Sequence, residues 1–568
     1  MSFLFLLSAV LLVFSYTNPL DKLNLEDLFF KDDPVVLATV DSTVVENEDY
    51  PETPVIPYTD PLQAKTAYLV EEAQTSLTTS TAVSTSKPNI IIIMLDDVNP
   101  IDGRFFTKTR TPAIYNNIVG KGINFTNFYT ETTLCCPGRV GYLTGQHTQN
   151  HKVNDLDGTK FDPSVTIATE LSSKGYFTML TGKYVNNYLE IPKSKAIPPG
   201  WNRFDAIYSN NGKYYNYNMI NKSGNTTYYG DSPSDYSTDV IAKIAVNRLK
   251  EAPSNKPIFA ILNPYAIHNP HLAAPRHIGD SRCANIGVWK APNVNEENVS
   301  DKAKYIRDLP NSSSGYNLKK QCEMLLSVDD MVKKVRAELF RQGRLNNTLF
   351  ILTADNGYGF KEHRIPAKTV PYVTHVPLYV AWSAGRGTTQ KVVDTVLSNI
   401  DMAPTLCDLA GCVMGPYPNG QQSSDGISFL PLIKNQVVKL GRDAILESQP
   451  IVPSGTAPST RPAWWAIRTT TENPLGLWHY IEYATGEKEL YDLSKGPCYR
   501  WSASKGGDPC ELKNLLSSTV IAPAGILDTK AQLDARLSQL KTEKGYTPPP
   551  TPTPTLMPTF TPTPTLIP

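Results

Sequence analysis

The chain has 568 residues, 40% hydrophobic and 19% charged, with Lys+Arg and Asp+Glu equal at 54 each. That length excludes a single small domain and leaves ample apolar material for a large core. The charge balance excludes a global pull towards nucleic acid or an anionic membrane surface, so an anionic substrate has to be held by local charge.

In chain order, Phe3 to Phe14 is almost wholly apolar but short of the roughly 20 residues a membrane span needs, so residues 1–16 read as a signal peptide and the protein as secreted or cell-surface. No later segment is long and apolar enough to span a bilayer. Residues 17–86 turn acidic and then Thr/Ser-rich, a leader and linker that buries too little apolar surface to fold.

Residues 87–440 read as the large domain. Asn89 to Leu95 (NIIIIML) is a continuous apolar run suited to a parallel strand buried on both faces, and it ends at Asp96-Asp97. Phe177 to Leu180 leads into Thr181-Gly182-Lys183, Ile258 to Leu262 leads towards His268, and Leu349 to Thr353 leads into Asp355-Asn356. Met324, Leu325, Val328, Met331, Val332, Val335 and Leu339 recur at helical spacing before that last strand. Buried strands alternating with helix predict an α/β doubly wound sheet, in which ligands bind beyond the carboxyl ends of the strands. Residues 441–545 read as a smaller antiparallel α+β domain, with strands at Trp464 to Thr469 and Trp478 to Tyr483 and a helix near Thr529 to Lys541. Residues 546–568 are a Pro/Thr tail suited to an extended, solvated stalk.

Of the eight cysteines, Cys283 and Cys322, Cys407 and Cys412, and Cys498 and Cys510 are the pairs proximity favours in an exported chain. Asn124, Asn221, Asn225, Asn298, Asn311 and Asn347 head N-x-S/T sequons, glycan acceptors if the source is eukaryotic.

The polar clusters carry chemistry. Asp96, Asp97, Asp355 and Asn356 are oxygen ligands from two strand ends, which suits a hard divalent cation such as Ca²⁺ or Mg²⁺ better than zinc. An Asp pair after a strand also caps helices, but the matching Asp-Asn-Gly after a second strand favours the ion. Lys183 and Lys368 are point charges suited to anionic oxygens, and His268 is a candidate acid for a leaving alcohol. His147 and His151 either line the same pocket or serve the fold.

Cys135-Cys136-Pro137-Gly138-Arg139 continues to Leu143-Thr144-Gly145, and C-x-P-x-R-x-x-x-L-T-G resembles the sulfatase signature. The resemblance implies that Cys135 is oxidised by a formylglycine-generating enzyme to formylglycine, whose hydrate attacks sulfur and then expels sulfate. Residue 135 is then both nucleophile and metal ligand. Arg139, one helical turn on, would hold it in register with the ion's ligands. Asp96-Asp97, Gly182-Lys183, His268-Asn269-Pro270, Asp355-Asn356-Gly357, Glu362-His363-Arg364 and Lys368 match further family motifs, and the likeness runs from Lys87 to Leu515. It implies an alkaline-phosphatase-like fold and a metal-dependent sulfuric ester hydrolase.

Gly138 stands where the family most often has Ser, and Val185 where many members have His. Val185, Asn186, Cys135-Cys136 and Pro199-Gly200-Trp201 resemble the N-acetylglucosamine-6-sulfatase branch, implying a sulfated saccharide of the 6-O-sulfated N-acetylglucosamine type found in glycosaminoglycans. Two rival readings remain: a formylglycine-dependent phosphonate or phosphate monoester hydrolase, and a non-catalytic surface glycan-binding protein. A vicinal Cys135–Cys136 disulfide, the structural alternative for the motif, is disfavoured by ring strain.

Overall fold

All seven side chains of Asn89–Leu95 (β1) are buried, as four isoleucines, a methionine and a leucine in succession require. The computed structural model that shows this describes residues 87–190, 197–208, 214–311, 315–365, 367–387, 389–437, 439–450, 461–494, 498, 504 and 507–545. The signal peptide, the leader and the Pro/Thr tail expected from the sequence lie outside them.

β1 is the centre of a ten-stranded sheet. The other strands are Ile123–Phe125 (β2), Phe177–Gly182 (β3), Arg203–Tyr208 (β4), Tyr217–Asn221 (β5), Thr226–Tyr229 (β6), Ile258–Asn263 (β7), Thr348–Ala354 (β8), Leu378–Trp382 (β9) and Lys391–Val393 (β10). Their order is β10-β2-β9-β8-β1-β7-β3-β4-β5-β6. The inner strands β8, β1, β7, β3 and β4 are parallel, whereas β9 runs antiparallel to β8 and β5 to β4. The four strands expected from apolar runs are four of these five inner strands, so their polar ends emerge at one edge.

Helices flank the sheet: Cys135–Thr144 (α1), Ile167–Ser173 (α2), Ser237–Glu251 (α3), Lys319–Arg341 (α4) and Met402–Ala410 (α5). α3 packs on α4, and α5 on α1 and α2. The apolar stripe from Met324 to Leu339 is the buried face of α4, as its spacing predicts. The architecture is the alkaline-phosphatase-like doubly wound sheet, followed by a smaller C-terminal domain.

That domain is an antiparallel four-stranded sheet of Ala444–Gln449 (β11), Trp464–Thr469 (β12), Trp478–Tyr483 (β13) and Lys488–Asp492 (β14), covered by Ile526–Leu540 (α6). Leu533, Leu537 and Leu540 of α6 pack against Ile467, Tyr480 and Leu490 of the sheet. The three expected disulfides are present, and Cys135 and Cys136 are both free, so they form no vicinal bridge. Among the described residues no helix is long and apolar enough to cross a membrane.

Candidate active site

Parallel pairing of β1 with β8 sets Leu95 beside Ala354, which brings the next residues, Asp96 and Asp355, together. Asp97 then turns into the left-handed region at φ 65°, a conformation Asp tolerates better than most residues, and its N–H donates to Asp355 Oδ1 at 3.3 Å. Asn356 Nδ2 donates to Asp97 Oδ1 at 2.7 Å and to the Gly357 carbonyl oxygen at 2.8 Å. This leaves Asp96 Oδ1 and Asn356 Oδ1 buried with no hydrogen-bond donor. Two buried oxygens without donors, one from each strand end, are the donor set a hard cation uses, so these residues fit the ion expected from the sequence.

Cys135 is the first residue of helix α1. Cys135 is 3% exposed, and its Sγ lies 3.6 Å from Asn186 Oδ1. One turn on, Arg139 donates from Nε to Asp355 Oδ2 at 2.8 Å, from Nη2 to Asp96 Oδ2 at 3.3 Å and from Nη1 to the Lys183 carbonyl oxygen at 3.2 Å. Arg139 therefore fastens the helix to both strand ends. Such a close approach is why residue 138 is Gly: a Cβ there would stand 2.5 Å from the Asp355 carbonyl oxygen.

Gly182 likewise has no room for a side chain, with φ 111° and a hypothetical Cβ 2.1 Å from the Asn263 carbonyl oxygen. The contact lets Lys183 N–H donate to that oxygen at 2.8 Å while Asn263 Nδ2 donates back to the Lys183 carbonyl at 2.7 Å. Lys183 Nζ is thereby aimed at Asp96 Oδ2, 2.5 Å away, over the Tyr265 ring. Lys368 Nζ lies 2.5 Å from Asp97 Oδ1. His268, about a quarter exposed, has Nε2 3.7 Å from Asp97 Oδ2 and Nδ1 2.5 Å from the Asn269 carbonyl oxygen. Ligand atoms of Asp96, Asp97 and His268 lie within 4.8 Å of one another.

Burial alone would push the Asp96 carboxyl up, but Lys183, His268, Arg139 and Lys368 together hold it well below the carboxylate range. Asp355 is pushed the other way, by burial and then by the Asp96 charge. Burial would lower both lysines; Asp96 overrides it for Lys183 and Asp97 for Lys368, and both stay charged.

The structure thus gathers Asp96, Asp97, Cys135, Arg139, Lys183, His268, Asp355, Asn356 and Lys368 around one edge of the sheet. His147 and His151 serve the fold: the His147 ring lies 3.5 Å from Glu131 and the His147 backbone N–H donates to Asp425, while His151 Nδ1 accepts from Val153 N–H. His363 bonds Glu296 at 2.6 Å. Sequence reasoning missed Asn263 and Tyr265, which support Lys183, and Tyr214, whose hydroxyl donates to the His268 carbonyl at 2.6 Å. No local signal marks them, since each acts through a contact between distant segments.

Known proteins resemble this chain over most of its length. Residues 88–412 match the family model described as Sulfatase. The chain is 31% identical over 477 residues to N-acetylglucosamine-6-sulfatase of Homo sapiens, covering 75% of this chain and 83% of that one. It is 29% identical over 478 residues to the Capra hircus protein of the same name, covering 75% and 82%. Among solved structures, a protein in complex with its substrate D-glucosamine-2-N,6-O-disulfate superposes with TM-score 0.62 at 20% identity, over 80% of this chain and 97% of that one.

Proposed function

The chain belongs to the sulfatase family and is a sulfuric ester hydrolase, and from that premise we propose that it removes the 6-O-sulfate of a glucosamine residue in a sulfated saccharide. The observation that carries the site assignment is the pairing of Asp96-Asp97 with Asp355-Asn356, two of whose buried oxygens have no donor, beside Cys135 at a helix start. The sugar reading draws on relatives named N-acetylglucosamine-6-sulfatase that align over most of their length, and on the Cys135-Cys136 and Asn186 motifs.

Formylglycine at position 135 would supply, as its hydrate, the hydroxyl that attacks sulfur, and Ca²⁺ or Mg²⁺ held by Asp96, Asp97, Asp355, Asn356 and residue 135 would polarise that hydroxyl. The remaining work falls to charges already in place. Asp96, Asp97 and Asp355 are matched by Arg139, Lys183 and Lys368, so a bound dication leaves a positive surplus for the sulfate. Lys183 and Lys368 donate to sulfate oxygens, and Arg139 holds the helix start against both carboxylates. His268, with Nδ1–H given to the Asn269 carbonyl, delivers its Nε2 proton to the leaving sugar oxygen. The three disulfides support export to an oxidising compartment.

The test is turnover of 6-O-sulfated N-acetylglucosamine, an aryl sulfate and an aryl phosphate by the wild type and Cys135→Ala, with intact-mass analysis of the Cys135 peptide. Hydrolysis of both sulfates, lost in Cys135→Ala, is expected. A wholly unmodified thiol in active enzyme would refute the nucleophile. Aryl phosphate turned over faster than aryl sulfate would favour the phosphate or phosphonate reading, and no turnover at all the glycan-binding one.

A further inference from the structure

Four arginines are buried among the described residues: Arg139, Arg442, Arg461 and Arg468. Three of them hold carboxylates. Arg139 bridges Asp96 and Asp355, Arg442 pairs with Asp401 at 2.7 Å, and Arg468 with Glu447 at 2.7 Å. Arg461, 6% exposed, has no carboxylate among the described residues. Its Nη1 donates to the Lys368 carbonyl oxygen and, at 2.8 Å, to Thr369 Oγ1, while Nε and Nη2 are buried without an acceptor.

A buried guanidinium normally keeps a counter-charge, because leaving charged donors unsatisfied is far costlier than leaving neutral ones so. Burial accordingly brings Arg461 down to about 10, with only Tyr305 and Tyr358 pulling it back. The Tyr305 hydroxyl is likewise buried without a hydrogen-bond partner. Tyr358 in turn lies within electrostatic reach of Asp97, Lys368 and Arg461. Arg461 therefore stands immediately behind Lys368, whose Nζ is on Asp97, and its free edge forms an oxyanion-shaped fork.

We propose that Arg461 is a specificity-determining residue: its Nε and Nη2 donors take a second anionic substituent of the saccharide, a carboxylate or a second sulfate, while the scissile sulfate lies against Lys183 and Lys368. This rests on the sugar-sulfate reading above. Arg461 also has a supporting part. Thr369 sits at φ 67°, and Arg461 together with Trp464 Nε1, which donates to the Thr369 carbonyl at 3.0 Å, holds that turn. Any substitution at 461 therefore disturbs Lys368 for every substrate alike, and the discriminating quantity is a ratio between substrates.

The full chain and its Arg461→Lys and Arg461→Gln variants would be assayed for kcat/KM on 6-O-sulfated N-acetylglucosamine, on glucosamine-2-N,6-O-disulfate and on a disaccharide joining the 6-O-sulfated sugar to a uronic acid. Arg461→Lys keeps a donor for the Lys368 carbonyl but loses the fork. Beyond any loss common to all three, both variants should lose a further tenfold or so on one of the substrates bearing a second anion, as expected for a charged hydrogen-bonded pair. Which of the two suffers identifies the substituent. Equal losses on all three substrates would overturn the proposal and leave Arg461 a support for Lys368. A wild type that hydrolyses an aryl sulfate but none of the sugars would instead refute the sugar reading, and the proposal with it.

Discussion

Replacing Arg139 by Met keeps the side chain's bulk and removes its charge and three donated hydrogen bonds. Arg139 is 2% exposed, and both of its carboxylate partners are fully buried. Deleting one member of such a pair strands the other in a poor dielectric and costs about 3–5 kcal/mol. Lys183, 2.5 Å from Asp96, still neutralises one carboxylate, so the lower half of that range is expected; Asp355, 4.0 Å from the same ammonium, bears most of the loss. Urea unfolding in chelator should show this deficit. Arg139→Lys should recover only part, since one ammonium reaches one carboxylate where the guanidinium reaches two. Added Ca²⁺ should shrink the deficit, because the ion supplies charge to the same oxygens. Activity should fall about a hundredfold or more even in Ca²⁺, as the helix start drifts from the strand ends. A deficit under about 1 kcal/mol in chelator would mean that Arg139 does not neutralise these carboxylates, and the electrostatic account of the site would fail.

Ca²⁺ at a hundred times its dissociation constant should stabilise the wild type by about 2.7 kcal/mol, reversibly with chelator; Asn356→Ala should weaken the titration sharply, and an unchanged titration would remove Asn356 from the ligand set. His147 is raised to about 9, since Glu131 and Asp425 outweigh its burial. A His whose folded pKa exceeds its unfolded value adds stability fully present below about 6.5 and lost as pH climbs towards 9. His147→Gln should therefore cost roughly 2–3 kcal/mol near pH 6 and little above pH 9, by unfolding at several pH values; a deficit independent of pH would refute the pairing. Gly138→Ala puts a Cβ 2.5 Å from the Asp355 carbonyl oxygen. It should destabilise by about 1–3 kcal/mol and weaken Ca²⁺ binding, as would Gly138→Ser, the residue more usual in the family; unchanged melting and binding would show that α1 can shift freely.

What was legible in the sequence follows from local physics. Inner parallel strands are apolar on both faces, so Asn89–Leu95 and Thr348–Ala354 announce themselves, and the polar residues that end them mark the binding edge. The strand Ala444–Gln449 was not legible, because polar side chains interrupt its apolar pattern: buried Glu447 pairs with Arg468, and buried Gln449 accepts from Thr132 and Thr133. His147 and His151, a few residues past the signature, looked equally suited to the pocket or the fold until Glu131 and Asp425 supplied their context. Arg461 was invisible for a similar reason. A lone Arg between Pro/Ser/Thr-rich sequence and a strand reads as solvated, and only the approach of the Lys368 turn gives it a role.

The neighbour relation of Leu95 and Ala354 also sets a clock. On a ribosome adding about 5–20 residues per second, β1 emerges on the order of ten to fifty seconds before the strand that must lie beside it. Until β7 and then β8 have emerged, NIIIIML, an apolar stretch without charge, has no lasting strand partner. Through much of the same interval Arg139 has no Asp355 to bind and helix α1 is not yet fastened to this edge, so the enzyme that would oxidise Cys135 on the reading proposed above would meet the thiol most easily then. The slow pairing that exposes the chain to aggregation would, on that reading, also hold open the time in which the proposed nucleophile is made.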